Sequence, residues 1–220
     1  MVGSGCVAVV YAPESGSPRT LARIKKKMKP ERMLASMRAA VRAGMPNIRG
    51  HFIMGMPGQT LSEIAETYLF IAKMAWVGVH DVNSYFFYPY PGSEMHRDLV
   101  ARGKIDPTAP DYDELLAGAC YTDFKTVRSW SEHFSPAVLR LFCVTSMLFF
   151  YVVSFLLRPQ RVAQTTWRIV RGRPFTWFER VIHEGVKQYV LRKRISRVAR
   201  VGAGPAVRAA VSAVGPASGL

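Results

Sequence analysis

The most informative absence in this sequence is that of closely spaced cysteines. The chain has three cysteines in 220 residues, Cys6, Cys120 and Cys143, and neither CxxC nor CxxxCxxC occurs. Their wide spacing fits neither a zinc site nor a disulfide framework. An odd cysteine count without a recognisable signal peptide indicates a reducing compartment, either the cytoplasm or the cytoplasmic side of a membrane.

Several catalytic and nucleotide-binding motifs are also missing. The sequence contains no P-loop, no GxGxxG and no Ser-His-Asp order. The five histidines are scattered along the chain. His80 and Asp81 could form an acid/base pair, but the simpler interpretation is a surface pair at the start of a strand. Because no RNA- or DNA-recognition signature is present, no nucleic acid partner is predicted.

Acidic residues are few, and their scarcity is uneven along the chain. There are 15 acidic residues against 30 basic ones, and the formal net charge is +15. From Arg158 onward thirteen Lys and Arg residues stand against only Glu179 and Glu184. A basic excess of this kind suits nucleic acid, anionic lipid or an acidic partner.

The chain is organised around the stretch from Ile48 to Thr60, in which an apolar strand enters a Gly-x-Pro-Gly turn and a helix follows at once. Thr60 and Glu63 have the spacing of a capping box. Gly55 and Gly58 lack side chains, so a flat ligand could lie against their backbone. The alternative is a plain connection between a strand and a helix.

The order of elements predicts an α/β fold. Strands are predicted at Gly5–Tyr11, at the central stretch and at Val82–Tyr88, separated by helices at Pro30–Gly44 and Leu61–Ala75. Strand, helix, strand, helix, strand at a spacing of roughly 35 to 40 residues is typical of a parallel sheet or barrel. Since a buried parallel strand needs neighbours on both sides, we expect the sequence to be the latter part of a larger domain.

Polar residues follow the first strand. Glu14 and Ser15 lie at its carboxyl end, where a carboxylate and a hydroxyl suit the two hydroxyls of a ribose. The alternative is a group of helix-capping residues, because Ser17-Pro18 can begin the next helix. In the run Lys25 to Lys27, one lysine could reach a ligand carboxylate, although such runs are usually a solvated face.

The character of the chain changes after Ser135-Pro136. Leu141 to Leu157 is almost entirely apolar, is bracketed by Arg140 and Arg158, and is just long enough to span a bilayer. A helix buried in protein, or one lying in the membrane surface, is the competing interpretation. The basic, Trp-containing segments up to Arg200 are typical of interfacial helices. We therefore predict attachment to an anionic membrane on the cytoplasmic face, with a single span as the alternative.

Taken together, the strand ends resemble a known family. Glu14-Ser15-Gly16-Ser17, Lys25-Lys26, Phe52 to Thr60 and Tyr88 to Ser93 resemble, in this order, the second half of radical S-adenosylmethionine (SAM) enzymes. The similarity is greatest to the cobalamin-binding branch, which includes anaerobic cyclase and hopanoid-type enzymes, and it covers about Gly5 to Gly103. It implies a partial (β/α) barrel of the radical SAM type, followed by a C-terminal helical, membrane-contacting region.

The resemblance also implies roles for individual residues. The cofactor-binding positions are Glu14, Ser15, Lys26, Ile53, Gly55, Pro57, Gly58 and Gln59. Glu14 and Ser15 match the position that contacts the SAM ribose. Lys26, or its neighbour Lys25 or Lys27, matches a basic position near the methionine carboxylate.

The central strand completes this implied site. Ile53 and Gly55 match the strand that packs on the adenine of SAM. Gln59 stands where the family usually has Glu, so a hydrogen-bonding carbonyl is kept and a charge is lost. No metal ligand is predicted, and no catalytic residue is assigned.

The departure from the family is large. Its members bind a [4Fe–4S] cluster through three thiolates on a loop that this sequence lacks, and the upstream cobalamin domain is absent as well. The predicted function is therefore a fragment of a radical SAM enzyme, inactive alone, whose partner is a missing N-terminal half or another chain. The alternative is a non-enzymatic membrane-surface protein that uses the barrel half as a scaffold.

The sequence predicts four regions. Residues 1–104 form the second half of the barrel, 105–135 a capping or connecting segment, 136–200 an apolar and then basic helical region, and 201–220 a disordered tail.

Overall fold

A computed structural model describes residues 2–106 and 128–202 of the chain. The strands are β1 (Ala8–Glu14), β2 (Asn47–Met54) and β3 (Asp81–Phe86). The helices are α1 (Pro18–Arg23), α2 (Pro30–Arg42), α3 (Leu61–Val77), α4 (Glu94–Ala101), α5 (Pro136–Leu157), α6 (Gln160–Val170) and α7 (Trp177–Gly202), and a 3-10 turn precedes β1 at Val2–Ser4. Cys120, most of the predicted capping segment and the tail beyond residue 202 lie outside the described residues.

The three strands form a parallel sheet in the order β1-β2-β3, which confirms the predicted α/β class. Tyr11 pairs with Gly50, and Gly50 in turn pairs with Val82. Because the strands are parallel, all three carboxyl ends meet at one edge of the sheet. One side of the sheet packs on α3, where Phe52 meets Phe70 with ring centroids 6.2 Å apart.

The first strand differs from the prediction of a buried strand. In the described part of the chain β1 pairs only with β2, and Val10 is 52% exposed. The sequence predicted burial from apolar content, but burial on both faces requires neighbours that the described residues do not provide. Tyr11 is partly covered by α2, since its hydroxyl lies 3.1 Å from the Ser36 hydroxyl.

The apolar helix α5 packs against α3 and β3. Its Ser146 hydroxyl lies 2.7 Å from that of Ser84 on β3, and its Phe142 carbonyl accepts a hydrogen bond of 3.0 Å from the Tyr68 hydroxyl of α3. Residues 1–162 form one compact unit. The sequence left burial in protein as a competing interpretation of this apolar segment, and in the structure the helix packs on the sheet and on α3.

Two arginines fix the end of α3. Arg158 donates to the carbonyl oxygens of Ala75 and Trp76 at 2.7 and 2.8 Å. Arg161 donates to those of Gly78 and Val79, at 2.7 and 2.8 Å. Cations at the carboxyl end of a helix also interact favourably with its dipole. Arg158, which the sequence placed beside the membrane, therefore has a structural role.

The second compact unit, from Ala163 onward, contains most of α6 and all of α7. The buried Glu179 carboxylate accepts hydrogen bonds from the backbone N–H groups of Phe175 and Thr176, at 2.6 and 3.1 Å. Thr176 accepts in return from the Glu179 N–H at 3.2 Å, which is a second capping box. The basic stretch after Pro159 thus contains two helices, α6 and α7.

The first capping box supports a stability prediction. Glu63 is buried, and its carboxylate accepts from Thr60 N–H at 2.7 Å and from Arg23 at 2.9 Å. Burial by itself would raise the pKa of Glu63, but these hydrogen bonds and the Arg23 charge outweigh it and lower that pKa below its ordinary value. We expect Glu63→Gln to cost about 2 kcal/mol of unfolding free energy at pH 7, because a charged hydrogen-bonding partner is lost.

The pH dependence of this effect has a definite sign. A carboxyl group whose pKa is lowered by folding stabilises the folded state at pH values above its ordinary, unfolded-state pKa. That contribution disappears as the pH falls through the folded-state pKa. The difference between the wild type and Glu63→Gln in urea unfolding should therefore shrink below about pH 4.5. Glu66→Gln, which breaks a more exposed pair with Arg19, is the control and should change stability by less than about 1 kcal/mol. A difference independent of pH would contradict the assignment.

Candidate functional site

A cavity of about 1100 Å³ opens at the carboxyl ends of the strands. The strands and the two residues that follow β3 contribute Ala12, Glu14, His51, Ile53, Tyr85, Phe86, Phe87 and Tyr88 to its lining. Most of the other lining residues come from the lysine-rich loop after α1, the turn after β2, the region of α4 and the loop at Glu132. Large clefts at this edge of an α/β sheet are the usual place for a ligand.

Glu14 and Lys26 form the polar pair on the β1 side of the cavity. The Lys26 ammonium donates to the Glu14 carboxylate at 2.9 Å and also to the carbonyl of Ala12. Glu14 has a φ of 64°, a left-handed conformation that non-glycine residues seldom adopt and that costs about 1 to 3 kcal/mol. Both side chains are about one-quarter exposed, so a ligand can reach them while they remain paired.

The structure distinguishes among the three lysines of the run. Lys26 contacts Glu14, whereas Lys25 lines the outer part of the cavity and donates to Glu94 at the start of α4 at 2.7 Å. Lys27 does not line the cavity. Of the alternatives that the sequence left open, Lys26 is the one whose ammonium lies beside the Glu14 carboxylate.

Ser15 lies away from the cavity, although the resemblance implied that it contacts a ribose. Its side chain is fully buried, and its hydroxyl lies 3.0 Å from that of Thr67 on α3. The Ser15 hydroxyl also accepts from the Ser17 N–H at 3.1 Å. In this position Ser15 anchors the loop to α3, so Glu14 alone of the pair faces the cavity.

The turn after β2 likewise has some residues that line the cavity and others that are buried behind it. Pro57 and Gly58 line the cavity, as does Ile53 on the strand before them. Gln59 is fully buried behind the turn, where its side-chain carbonyl accepts from the Gly55 N–H at 2.8 Å. This bond needs only an acceptor oxygen, which the Gln59 amide supplies.

Gly55 is also turned away from the cavity. It has a φ of +82°, and a Cβ there would lie 2.6 Å from a methyl carbon of Leu139 on α5. The absent side chain therefore makes room for a helix rather than for a flat ligand. Gly58 keeps an open surface, because a Cβ there would meet only the Arg23 side chain at ordinary contact distance.

Most of the lining residues were not predicted as site residues, and His51 is one of them. His51 lies two residues before Ile53, on the same side of β2, and its ring meets the ring of Tyr85 edge-on at 5.1 Å. Burial is the main cause that lowers the pKa of His51 below its ordinary value. The alternation of side chains along a strand was the signal that could have placed His51 beside Ile53.

Glu132 lies across the turn. Its carboxylate accepts from the Gly58 N–H at 2.7 Å and from Lys104 at 3.2 Å, and Arg102 is 3.6 Å away. Burial would raise the pKa of Glu132, but the Gly58 and Lys104 interactions more than offset it and the pKa is lowered. No local sequence signal links residues 74 positions apart, so this contact could not be predicted.

The described residues do not assemble a metal-binding group. In residues 2–106 and 128–202, no three His, Cys, Asp or Glu side chains lie together in a way that could hold an ion. Cys143 is buried in α5, and burial raises the pKa of its thiol, which disfavours a thiolate ligand. Cys6 precedes β1 and so lies at the other end of the strand from Glu14.

Comparisons with known proteins find distant relatives that match about half of this chain. The chain is 32% identical over 114 residues to cytidylyl-2-hydroxyethylphosphonate methyltransferase of Streptomyces wedmorensis, which covers 49% of this chain and 21% of that protein. It is 31% identical over 108 residues to an uncharacterized methyltransferase of Pyrococcus horikoshii, which covers 48% of this chain and 22% of the relative. The chain thus spans about one-fifth of the length of these relatives. Residues 1–71, which contain β1, β2 and the turn, match the model of the Radical SAM superfamily.

Proposed function

We propose that this chain is the SAM-binding part of a radical SAM enzyme, with a partial (β/α) barrel whose strand ends hold the cofactor. The observation that carries the proposal is the Glu14–Lys26 pair, which lines a cavity of about 1100 Å³ inside the segment that matches the superfamily. Such a cavity has the size of a site for a nucleoside-sized ligand.

The lining residues fit the parts of SAM. The Glu14 carboxylate can accept hydrogen bonds from the ribose hydroxyls, and the Lys26 ammonium has the charge to bind the methionine carboxylate. Ile53 offers an apolar surface to the adenine, and Gly58 leaves the turn open beside it. Bound SAM would supply the transferable methyl or adenosyl group of the reaction.

The iron–sulfur cluster of the family does not fit the described residues, because they hold no cage of thiolates. We therefore propose that a missing N-terminal half or a partner chain supplies the cluster, and that it adjoins the exposed edge of β1. Since both relatives are named methyltransferases, methyl transfer is the reaction that we propose for the complete enzyme. Membership of the cobalamin-binding branch, and resemblance to the cyclase type, remain predictions.

Calorimetric titration with SAM tests the proposed function. Because hydrogen bonds to a charged group contribute roughly 1.5–3 kcal/mol, Glu14→Gln should weaken SAM binding at least about tenfold. Glu31→Gln is the matched control, since Glu31 is exposed on α2 and does not line the cavity. Equal affinities of the wild type and Glu14→Gln would remove Glu14 from the site.

The alternative function is a membrane-surface protein that keeps the barrel half only as a scaffold. Exposed apolar residues on the helices favour it, but they account for neither the Glu14–Lys26 pair nor the cavity. Absence of SAM binding by the folded wild-type chain would favour this alternative over the proposed function.

A further inference from the structure

Large apolar side chains are exposed on the outer sides of α3 and α5. We call this surface the two-helix apolar face, and its residues are Leu61, Leu69, Trp76, Leu141, Val144, Leu148, Val152 and Leu156. Leu69, Trp76 and Leu156 are 64%, 67% and 78% exposed. Scattered apolar residues are normal on a surface, whereas a clustered set marks an interaction site.

The two helices present these residues side by side. Tyr68 of α3 contacts α5 through a hydrogen bond to Phe142 and a ring contact with Phe149, whose centroid lies 5.6 Å away. Leu69 follows Tyr68, and Leu61 and Trp76 lie about two helical turns to either side of it on the same stripe. On α5 the exposed residues recur at intervals of three or four, which places them on one stripe as well.

The inner side of α5 is held by polar contacts with the sheet. The hydroxyls of Ser146 and Ser84 form a buried hydrogen bond, and Tyr151 donates to the buried carboxylate of Asp81. The helix is long and apolar enough to span a membrane by length and composition. Spanning would break these contacts and expose Asp81, so α5 can meet lipid through its outer side while it stays on the sheet.

We propose that the two-helix apolar face docks on the surface of an anionic membrane. None of the eight residues of this face is acidic, and Lys73 is exposed beside Trp76 on α3, while Glu31 and Glu66 lie around the same small pocket as Leu69. Most of the chain's net charge of +15 lies from Arg158 onward. Apolar insertion together with basic charge is the pair of signals that stable attachment requires. Trp76 suits the water–lipid boundary, where indole rings collect.

The C-terminal unit has the same chemistry. Trp167 and Val170 on α6 are exposed, and the Arg171 guanidinium lies 4.6 Å from the centre of the Trp167 ring. Arg173 and Arg180 are exposed as well. Basic and aromatic residues together are typical of segments that lie at an anionic lipid surface, so this unit supports the choice of lipid over a second protein. The inference does not rest on the proposed function, since a membrane-bound chain could bind SAM or not.

Flotation of the full chain with lipid vesicles tests the inference. The wild type should float with vesicles of phosphatidylcholine and phosphatidylglycerol at low salt. High salt should release it, because salt screens the attraction. With vesicles of phosphatidylcholine alone it should not float. The double variant Leu148→Ser/Leu156→Ser should partition at least about tenfold less, since each leucine loses apolar burial.

A matched control distinguishes binding through this face from non-specific hydrophobic adsorption. Val7→Ser/Val10→Ser removes two exposed apolar residues, one just before β1 and one on it, and β1 is the strand farthest from α5. This variant should float like the wild type. Circular dichroism checks that each variant is folded. The inference is overturned if the wild type stays at the bottom, if both double variants float equally, or if binding ignores salt. It is also overturned if the wild type is a dimer that Leu148→Ser dissociates without any vesicle binding.

Discussion

Gly16→Ala is expected to destabilise the protein by about 3 kcal/mol or more, a large share of the 5–15 kcal/mol typical of a folded domain. A Cβ at Gly16 would lie 2.6 Å from the Phe70 Cβ, 2.7 Å from the Glu66 carbonyl oxygen and 2.8 Å from the Thr67 Cα. These atoms belong to the frame of α3 and cannot move without shifting the helix. Overpacking a well-packed interior typically costs 1–3 kcal/mol and occasionally more.

Gly50→Ala is the control for this prediction. Its Cβ would come even closer to a neighbour, at 2.2 Å, but that neighbour is the terminal methyl of Met74, a flexible side chain that can change rotamer. The expected cost is about 1 kcal/mol. Urea unfolding of both variants provides the measurement, and equal losses would show that distance alone decides the cost.

The expected effect of Gly16→Ala indicates which residues of the segment from Glu14 to Ser17 serve packing rather than ligand binding. The resemblance assigned Glu14 and Ser15 together to the ribose of SAM. In the structure the Ser15 hydroxyl lies against Thr67, and Gly16 N–H donates to the same Thr67 hydroxyl at 3.1 Å. Part of this motif therefore packs against α3, and of Glu14 and Ser15 only Glu14 lines the cavity.

Local chemistry was sufficient to predict the centre of the fold. The strand, the Gly-x-Pro-Gly turn and the capping box between Thr60 and Glu63 all depend on residues within a few positions of one another. The predicted α/β order follows from such local signals.

Contacts between distant residues explain what the sequence did not reveal. Strand alternation does not show which side of a turn meets a helix. Gln59 and Gly55 were therefore expected to contact a ligand, whereas both lie on the side of the turn away from the cavity. Glu132 reaches the turn from 74 residues away. The apolar composition of α5 is similar around the helix, so the sequence could not show that one side holds Ser146 and Tyr151 against the sheet.

Gly55→Ala is the second variant with a large expected effect, of about 2–5 kcal/mol. The left-handed φ of +82° contributes roughly 1–2 kcal/mol when a side chain is added. The new Cβ would also lie 2.6 and 2.9 Å from the two terminal methyls of Leu139, which is itself almost fully buried. Overpacking at such a site adds about 1–3 kcal/mol.

The chain offers a control with nearly the same backbone. Gly92 has a φ of +84°, and a Cβ there would meet nothing within 4 Å. Gly92→Ala should therefore show only the backbone cost, roughly 1–2 kcal/mol. The difference between the two variants in urea unfolding gives the cost of the contact with α5.

A double-mutant cycle assigns that difference to Leu139. Leu139→Ala alone should destabilise the protein by about 2–5 kcal/mol, because it leaves a cavity. In that background Gly55→Ala should cost no more than Gly92→Ala, since the obstructing methyls are gone, and the coupling energy should be favourable by about 1–3 kcal/mol. Purely additive losses would mean that α5 does not pack on the turn, and that the apolar helix has another position in solution.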